Sequence, residues 1–164
     1  MITPNSLSTI LMAQWREIRK LTYDYLDMLS PAQLALRLPF AESQPIEYQF
    51  WCMVGAHESY LRKLEHGAWQ GFASSLDQFE QVTPTLIKQQ MQQADAKMER
   101  LLGQMDLSAP QQNGEAAHAV VFRMIKHEMH HHGQLINLLF CHHLPIPLSW
   151  QQVWALSYEE GDSE

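Results

Sequence analysis

Four stretches of roughly 20 residues, each with apolar side chains returning every three or four positions, restrict this chain to a bundle of helices. The first spans about Ser6 to Leu29, with Leu7, Leu11, Ile18, Leu21, Tyr25 and Leu29 on its stripe. The second spans about Pro45 to Glu65 and carries Ile46, Phe50, Met53, His57, Tyr60 and Leu64. Thr83-Pro84 opens the third, a hydroxyl N-cap followed by a proline whose missing N–H would be unpaired anyway. Its stripe is Ile87, Met91, Ala94, Met98, Leu101 and Met105. The fourth runs from Ala116 to His142. Ser30-Pro31 ends the first helix and leads into a short turn at Ala32 to Leu36. His66-Gly67 closes the second, with glycine suited to the left-handed cap. Polar loops through Ser74 and Ser75, and from Asp106 to Gly114, complete the breaks. Pro145 and Pro147 halt the fourth helix, and Ser149 is placed to cap a short last helix from Trp150 to Tyr158, before the acidic tail Glu159 to Glu164. No strand-like alternation competes and no repeat is present. The expectation is an all-α four-helix bundle with a short extra C-terminal helix, one domain over residues 1–164.

Charge and hydropathy exclude several classes of function. The net charge of −7 and the lack of any basic run argue against nucleic-acid binding, which rests on neutralising phosphates. No apolar run approaches the roughly 20 residues that span a bilayer. The N-terminus lacks the pattern of a signal peptide, so a cytoplasmic protein is expected. Cys52 and Cys141 lie far apart within helical patterns and read as reduced packing residues.

Chemistry concentrates in Lys126-His127-Glu128-Met129-His130-His131-His132-Gly133-Gln134. His127 and His131 are one helical turn apart, on a face shared with Val120, Met124, Leu135 and Leu138. Buried imidazoles are costly unless partnered, and a shared divalent ion satisfies two at once. His57 lies on the apolar stripe of the second helix, so three core-facing histidines could converge on one ion, an arrangement known for open zinc sites. His57, His127 and His131 are therefore the expected ligands. His130 falls on the polar side; His132 falls at the edge of the stripe, as a packed residue or a hydrogen-bonding support for a ligand. His66, His142 and His143 sit at helix ends, where the dipole favours cations. Glu128 reads either as a boundary carboxylate paired with Lys126 or Arg123, or as an acceptor or base at the site, and Gln134 either lines the site or bonds between helices.

His127-Glu128-x-x-His131 also fits the zinc-protease pattern, in which Glu128 would activate water. Such enzymes need a further ligand beyond the motif and a sheet edge to hold substrate, and the chain supplies neither at a fitting spacing. His127-Glu128-Met129-His130-His131-His132-Gly133-Gln134-Leu135 instead resembles the signature of the DinB/YfiT-like superfamily of bacterial four-helix proteins, as do the order of elements and the ending Leu144-Pro145-Ile146-Pro147 with Trp150. The resemblance implies an up-up-down-down bundle, frequent homodimers, and a three-histidine site for zinc, nickel or a similar ion. It also implies relatives that include thiol-dependent transferases and many members of no known activity. One departure stands out. The second-helix histidine of many relatives lies about five positions before an acidic residue, and here that position is Met53. Either His57, one turn later, substitutes as ligand or the site is incomplete.

Three functions remain open at this stage. The first is a metal-dependent transferase acting on a small molecule with a low-molecular-weight thiol. The second is a non-catalytic bundle binding a small molecule or protein partner, and the third a zinc hydrolase using Glu128. A homodimer is expected from the resemblance and from large apolar residues beyond one stripe per helix, such as Trp15, Trp51, Trp69 and Trp154.

Overall fold

The computed structural model describes residues 4–158, with side chains from Leu7 onward; the acidic tail lies outside the described residues. Five helices follow one another: α1 Pro4–Leu26, α2 Ile46–His66, α3 Pro84–Gln104, α4 Ala117–Cys141 and the short α5 Leu148–Trp154. Single 3-10 turns occupy Pro31–Ala35 and Ser75–Gln78. The termini follow local chemistry. Thr83 accepts from the Leu86 amide at the start of α3, and Gly67 takes the left-handed conformation (φ 74°) that closes α2. Ser149 does not cap α5, which begins one residue before it. Its hydroxyl donates to Asp24 on α1, and the helix ends at Trp154 rather than Tyr158. No helix among the described residues is long and apolar enough to cross a membrane.

Side-chain pairings fix the directions. α1 and α3 are antiparallel: Ser8 meets Leu102, Trp15 meets Asp95, and Asp27 meets Lys88. α2 and α4 are antiparallel, through Gln49 with His131 and Lys63 with Glu115. α1 runs parallel to α4, since Leu11 and Trp15 pack with Val120 and Met124, while Leu21 and Tyr25 pack with Leu135 and Leu138. α2 and α3 are parallel in the same way, with Phe50 in the cluster of Ile87, Leu64 in that of Met98, and Glu65 bound to Lys97. The order is thus up-down-down-up, not the expected up-up-down-down. The parallel α2–α3 pair requires residues 67–83 to return along the bundle. That segment lies flush on α2, where Gly55 receives the Phe72 ring: a Cβ there would come within 2.4 Å of it.

The core has two apolar ends and a polar middle. One cluster joins Leu21, Tyr25, Phe50, Met53, Ile87, Leu135 and Trp150; the other joins Leu11, Trp15, Leu61, Met98, Leu102 and Val120. Between them, along every long helix, come Arg19, His57, Asp95, Glu128, His131 and His132, and all but Asp95 are buried. Arg19 is 2% exposed and spends every nitrogen: Nε to Asp95 (3.2 Å), Nη1 to Glu128 (2.8 Å) and Nη2 to His57 Nδ1 (2.6 Å). Its guanidinium also stacks over Trp15, 4.5 Å from the ring centre. Trp15 is itself 1% exposed, so it is a core residue and not part of an outer apolar surface.

Removing one member of a buried ion pair leaves the others charged without compensation, at a cost of about 3–5 kcal/mol. Arg19→Met is therefore expected to destabilise the bundle by that amount in denaturant unfolding, whereas Lys20→Met, whose side chain is exposed, changes stability by less than about 1 kcal/mol. A loss below about 1 kcal/mol at Arg19 would refute a central role for the guanidinium.

Candidate metal centre

α4 buries one face against α2 and another against α1; α2 buries one face against α4 and another against α3 and the centre of the bundle. On α4, His127 and His131 turn to α2, while Glu128 and His132, each one residue on, turn to α1. On α2, Gln49 and Cys52 turn to α4, while His57 turns to Arg19 on α1. The helical register thus sorts the motif into two sites, a ligand cluster between α2 and α4 and the charged middle layer around α1.

The ligand cluster consists of Cys52, His127 and His131, whose donor atoms all lie within 4.8 Å of one another. Cys52 Sγ and His127 Nε2 are 3.6 Å apart. A tetrahedral zinc ion with ordinary Zn–S and Zn–N bonds sets a sulfur–nitrogen edge of about 3.6 Å, so this pair fits such an ion. His131 is oriented by Gln49, whose side-chain oxygen lies 2.8 Å from Nδ1. The oxygen accepts, so Nδ1 carries the proton and Nε2 keeps its lone pair. That Nε2 is buried with no hydrogen-bond partner among the described residues. Burial holds the His131 ring neutral, its pKa lowered to about 3, with His127 and His130 adding to the shift. Burial also lowers the pKa of His127 and raises that of the Cys52 thiol. Neutral imidazoles are in the form a metal takes, and a metal ion would supply what the thiol lacks by deprotonating it. A cavity of about 560 Å³ opens beside the three, bordered by Phe40, Tyr48, His130, Gln134 and Asn137.

His57 does not join this cluster. It is five residues beyond Cys52, which turns it by about 140° around α2. Its Nδ1 accepts from Arg19, its ring packs 4.6 Å from Trp15, and burial, then Arg19, hold its pKa well below the usual imidazole value. Met53, one turn before His57 on the same stripe, is a buried core residue. Glu128 is neither a boundary carboxylate nor at the histidine pair. It is 2% exposed, accepts from Arg19 and from Thr22 (2.5 Å), and does not pair with Lys126 or Arg123. Burial pushes its carboxyl up, against the pull of Arg19. Thr22 donates to Glu128, so its oxygen accepts a hydrogen bond from His132 Nε2–H at 2.8 Å. His132 is thus packed behind the site, against Trp150. His130 is exposed, as its place on the polar side indicates, and is bonded to Gln134 at the cavity wall. His118 and His142 hold backbone oxygens of Leu107 and Arg37.

Cys52 and Gln49 escaped the sequence reading. Their i, i+3 spacing places both on one face, but beside the Phe50–Met53–His57 stripe. A helix with two buried faces gives no periodic signal that separates the second from solvent. In sequence Cys52 and Cys141 look alike; in the structure Cys141 is exposed, while Cys52 borders the cavity.

No protein-family profile matches the chain, and no curated protein does. Among solved structures it is similar to a DinB-like protein from Bacillus cereus. The two are 17% identical, the match covers 84% of this chain and 93% of that one, and the TM-score is 0.69. At that identity the likeness establishes the fold, an all-helical DinB-like bundle with a short extra helix.

The buried histidines give stability a defined pH dependence. His131 and His132 have folded pKa values of about 3, against about 6.5 for a free imidazole. The unfolded chain therefore binds protons that the folded one refuses. Their contribution is complete above about pH 6.5 and is lost as pH falls toward about 3. Urea unfolding is expected to give a stability lower at pH 5 than at pH 7 by roughly 2–4 kcal/mol. A flat profile over that interval would contradict neutral burial.

Proposed function

We propose that this chain, a bundle of the DinB-like fold, is a divalent-metal protein whose ion is held by Cys52, His127 and His131. The observations that carry the reading are the donor cluster of Cys52, His127 and His131 within 4.8 Å and the buried, unpartnered His131 Nε2, whose lone pair is left free by the Gln49 bond at Nδ1. One thiolate and two imidazoles suit zinc or nickel and leave further coordination positions toward the cavity. Cys52 takes the place for which His57 was considered. Gln49 accepts the ring proton of a ligand and so fixes its orientation, the usual support for a metal-bound imidazole.

The cavity fits a small molecule. We infer a transferase in which a low-molecular-weight thiol and its acceptor meet there. A bound ion would act as a Lewis acid, lowering the pKa of a thiol or polarising a substrate oxygen. The protein's own groups would orient the reactants, through His130, Gln134 and Asn137 on α4 and the apolar faces of Phe40 and Tyr48 opposite. Among the described residues no arginine or lysine borders the cavity, so negative substrate charge would be met by the ion, while Glu42 stands on the wall to meet positive charge. The hydrolase alternative loses its base, since the Glu128 carboxylate faces α1 and is bound to Arg19. A non-catalytic metal site remains the competing reading, and turnover of a thiol substrate is what separates the two.

Protein purified without a histidine tag is expected to carry close to one zinc or nickel per chain by elemental analysis. With cobalt substituted, a thiolate-to-metal absorption band is expected, lost in Cys52→Ser. His127→Ala and His131→Ala should lower affinity by more than about 100-fold, and Gln49→Leu by about 10–100-fold. His130→Ala and His57→Ala should leave it within a few-fold. Absence of metal binding, or a cobalt spectrum indifferent to Cys52→Ser, would overturn the assignment.

We further propose a homodimer. Trp69 and Phe72 are 50% and 43% exposed, and large exposed apolar residues mark contact surfaces. Light scattering at micromolar concentration is expected to give twice the chain mass; a monomer would reject it.

A further inference from the structure

A second groove, of about 450 Å³, lies on the opposite side of α2 from the ligand cluster, between α2, α3 and the segment that connects them. Its floor is apolar, from Leu61 and Ala94, and its walls carry three cations: Arg62 on α2, and Lys97 and Arg100 one turn apart on α3. The accounting of charge singles this groove out. The chain is strongly acidic overall, with a net charge of −7. Among the described residues, most cations face a carboxylate within 4.0 Å: Arg16 with Glu99, Arg19 with Asp95 and Glu128, Lys20 with Asp24, Lys63 and Arg123 with Glu115, Lys88 with Asp27, and Lys97 with Glu65. Arg62 and Arg100 have no such partner, and they line the same groove. Arg37 and Lys126 also lack one, and neither borders it.

Arg62 is nonetheless held in place. Its Nη2 donates to Ser59 Oγ (2.8 Å) and to the Ala73 carbonyl (3.3 Å), which leaves the rest of its fork without an assigned acceptor. Glu58, the groove's own acid, is engaged by a backbone amide, that of Ser75 at 2.8 Å. Ser75 borders the groove, and its hydroxyl is shielded from solvent with no partner among the described residues. Two guanidinium forks with no carboxylate partner, beside an ammonium that Glu65 shares, match an oxyanion with several acceptor oxygens. We propose that this groove is a binding site for a small molecule bearing a phosphate-type oxyanion, separate from the metal centre and independent of whether that centre holds an ion.

The test is titration of the full chain with glycerol phosphate at low ionic strength, by calorimetry and by amide chemical shifts, with glycerol as the neutral control. Saturable binding is expected, with shifts at residues 73–78 and 97–100. Arg100→Gln, at an exposed position, should keep the fold and weaken binding about tenfold or more. Arg62→Gln should do the same, and its thermal unfolding reports any loosening of the connecting segment. Lys126→Gln removes one charge elsewhere and Cys52→Ser disables the metal centre; both should leave affinity unchanged. Shifts confined to residues 127–134, equal losses in Arg100→Gln and Lys126→Gln, or no saturation at millimolar ligand would each overturn the proposal.

Discussion

The Arg19 guanidinium is the interaction on which the rest of this bundle depends. From α1 it reaches Asp95 on α3, His57 on α2 and Glu128 on α4, so one planar group binds all three other long helices. Apolar stripes specify which faces meet, but helices packed by apolar contacts alone can shift along one another at modest cost. A fork that needs three partners at fixed angles sets their heights. His57 and Glu128 are brought level by the same cation. Cys52, a turn and a half before His57, and His127, adjacent to Glu128, meet across α2 and α4 at a spacing an ion can bridge. The charged layer thereby aligns the ligand cluster without contributing an atom to it.

This division alters the meaning of the His127-Glu128-x-x-His131 pattern. In a hydrolase reading, the glutamate shares a site with the histidines. Here the 100° step between consecutive helical residues sends the imidazoles toward α2 and the carboxylate toward α1. The same offset separates His132, bonded to Thr22, from His131, bonded to Gln49. A short sequence motif thus serves one candidate reaction centre and one structural centre, back to back on a single helix.

Much of the architecture was legible in the chain because amphipathic periodicity and terminators are local signals. The limits of α3 and α4 follow Thr83-Pro84, the loop around Pro110 and the prolines after His143. Direction was less legible. Loop length and composition do not separate a hairpin from a return crossover, and residues 67–83 make the return that turns α3 parallel to α2. At the site, His127 and His131 were readable from spacing, since two polar rings on an apolar stripe stand out. The partner on α2 was not. His57 interrupts an apolar stripe just as visibly, yet its stripe faces Arg19, while Cys52, which reads as an ordinary small apolar residue, faces the pair. A stripe shows that a face is buried and is silent about which neighbour buries it.

The Arg19–Glu128 pairing also bears on how the chain is made. The two residues are 109 positions apart, and Thr22 and His132 are 110 apart. During synthesis, α1 and α2 are made well before the carboxylate and imidazole on α4 that complete their centre. Until α4 emerges, Arg19 has only part of its counter-charge, and closing it into an apolar interior would leave donors unmet. The earlier helices therefore lack the partners that complete the charged layer, and the last long helix supplies them. A chain ending just before residue 128 would leave an open, hydrated groove where the whole protein has its buried charged layer.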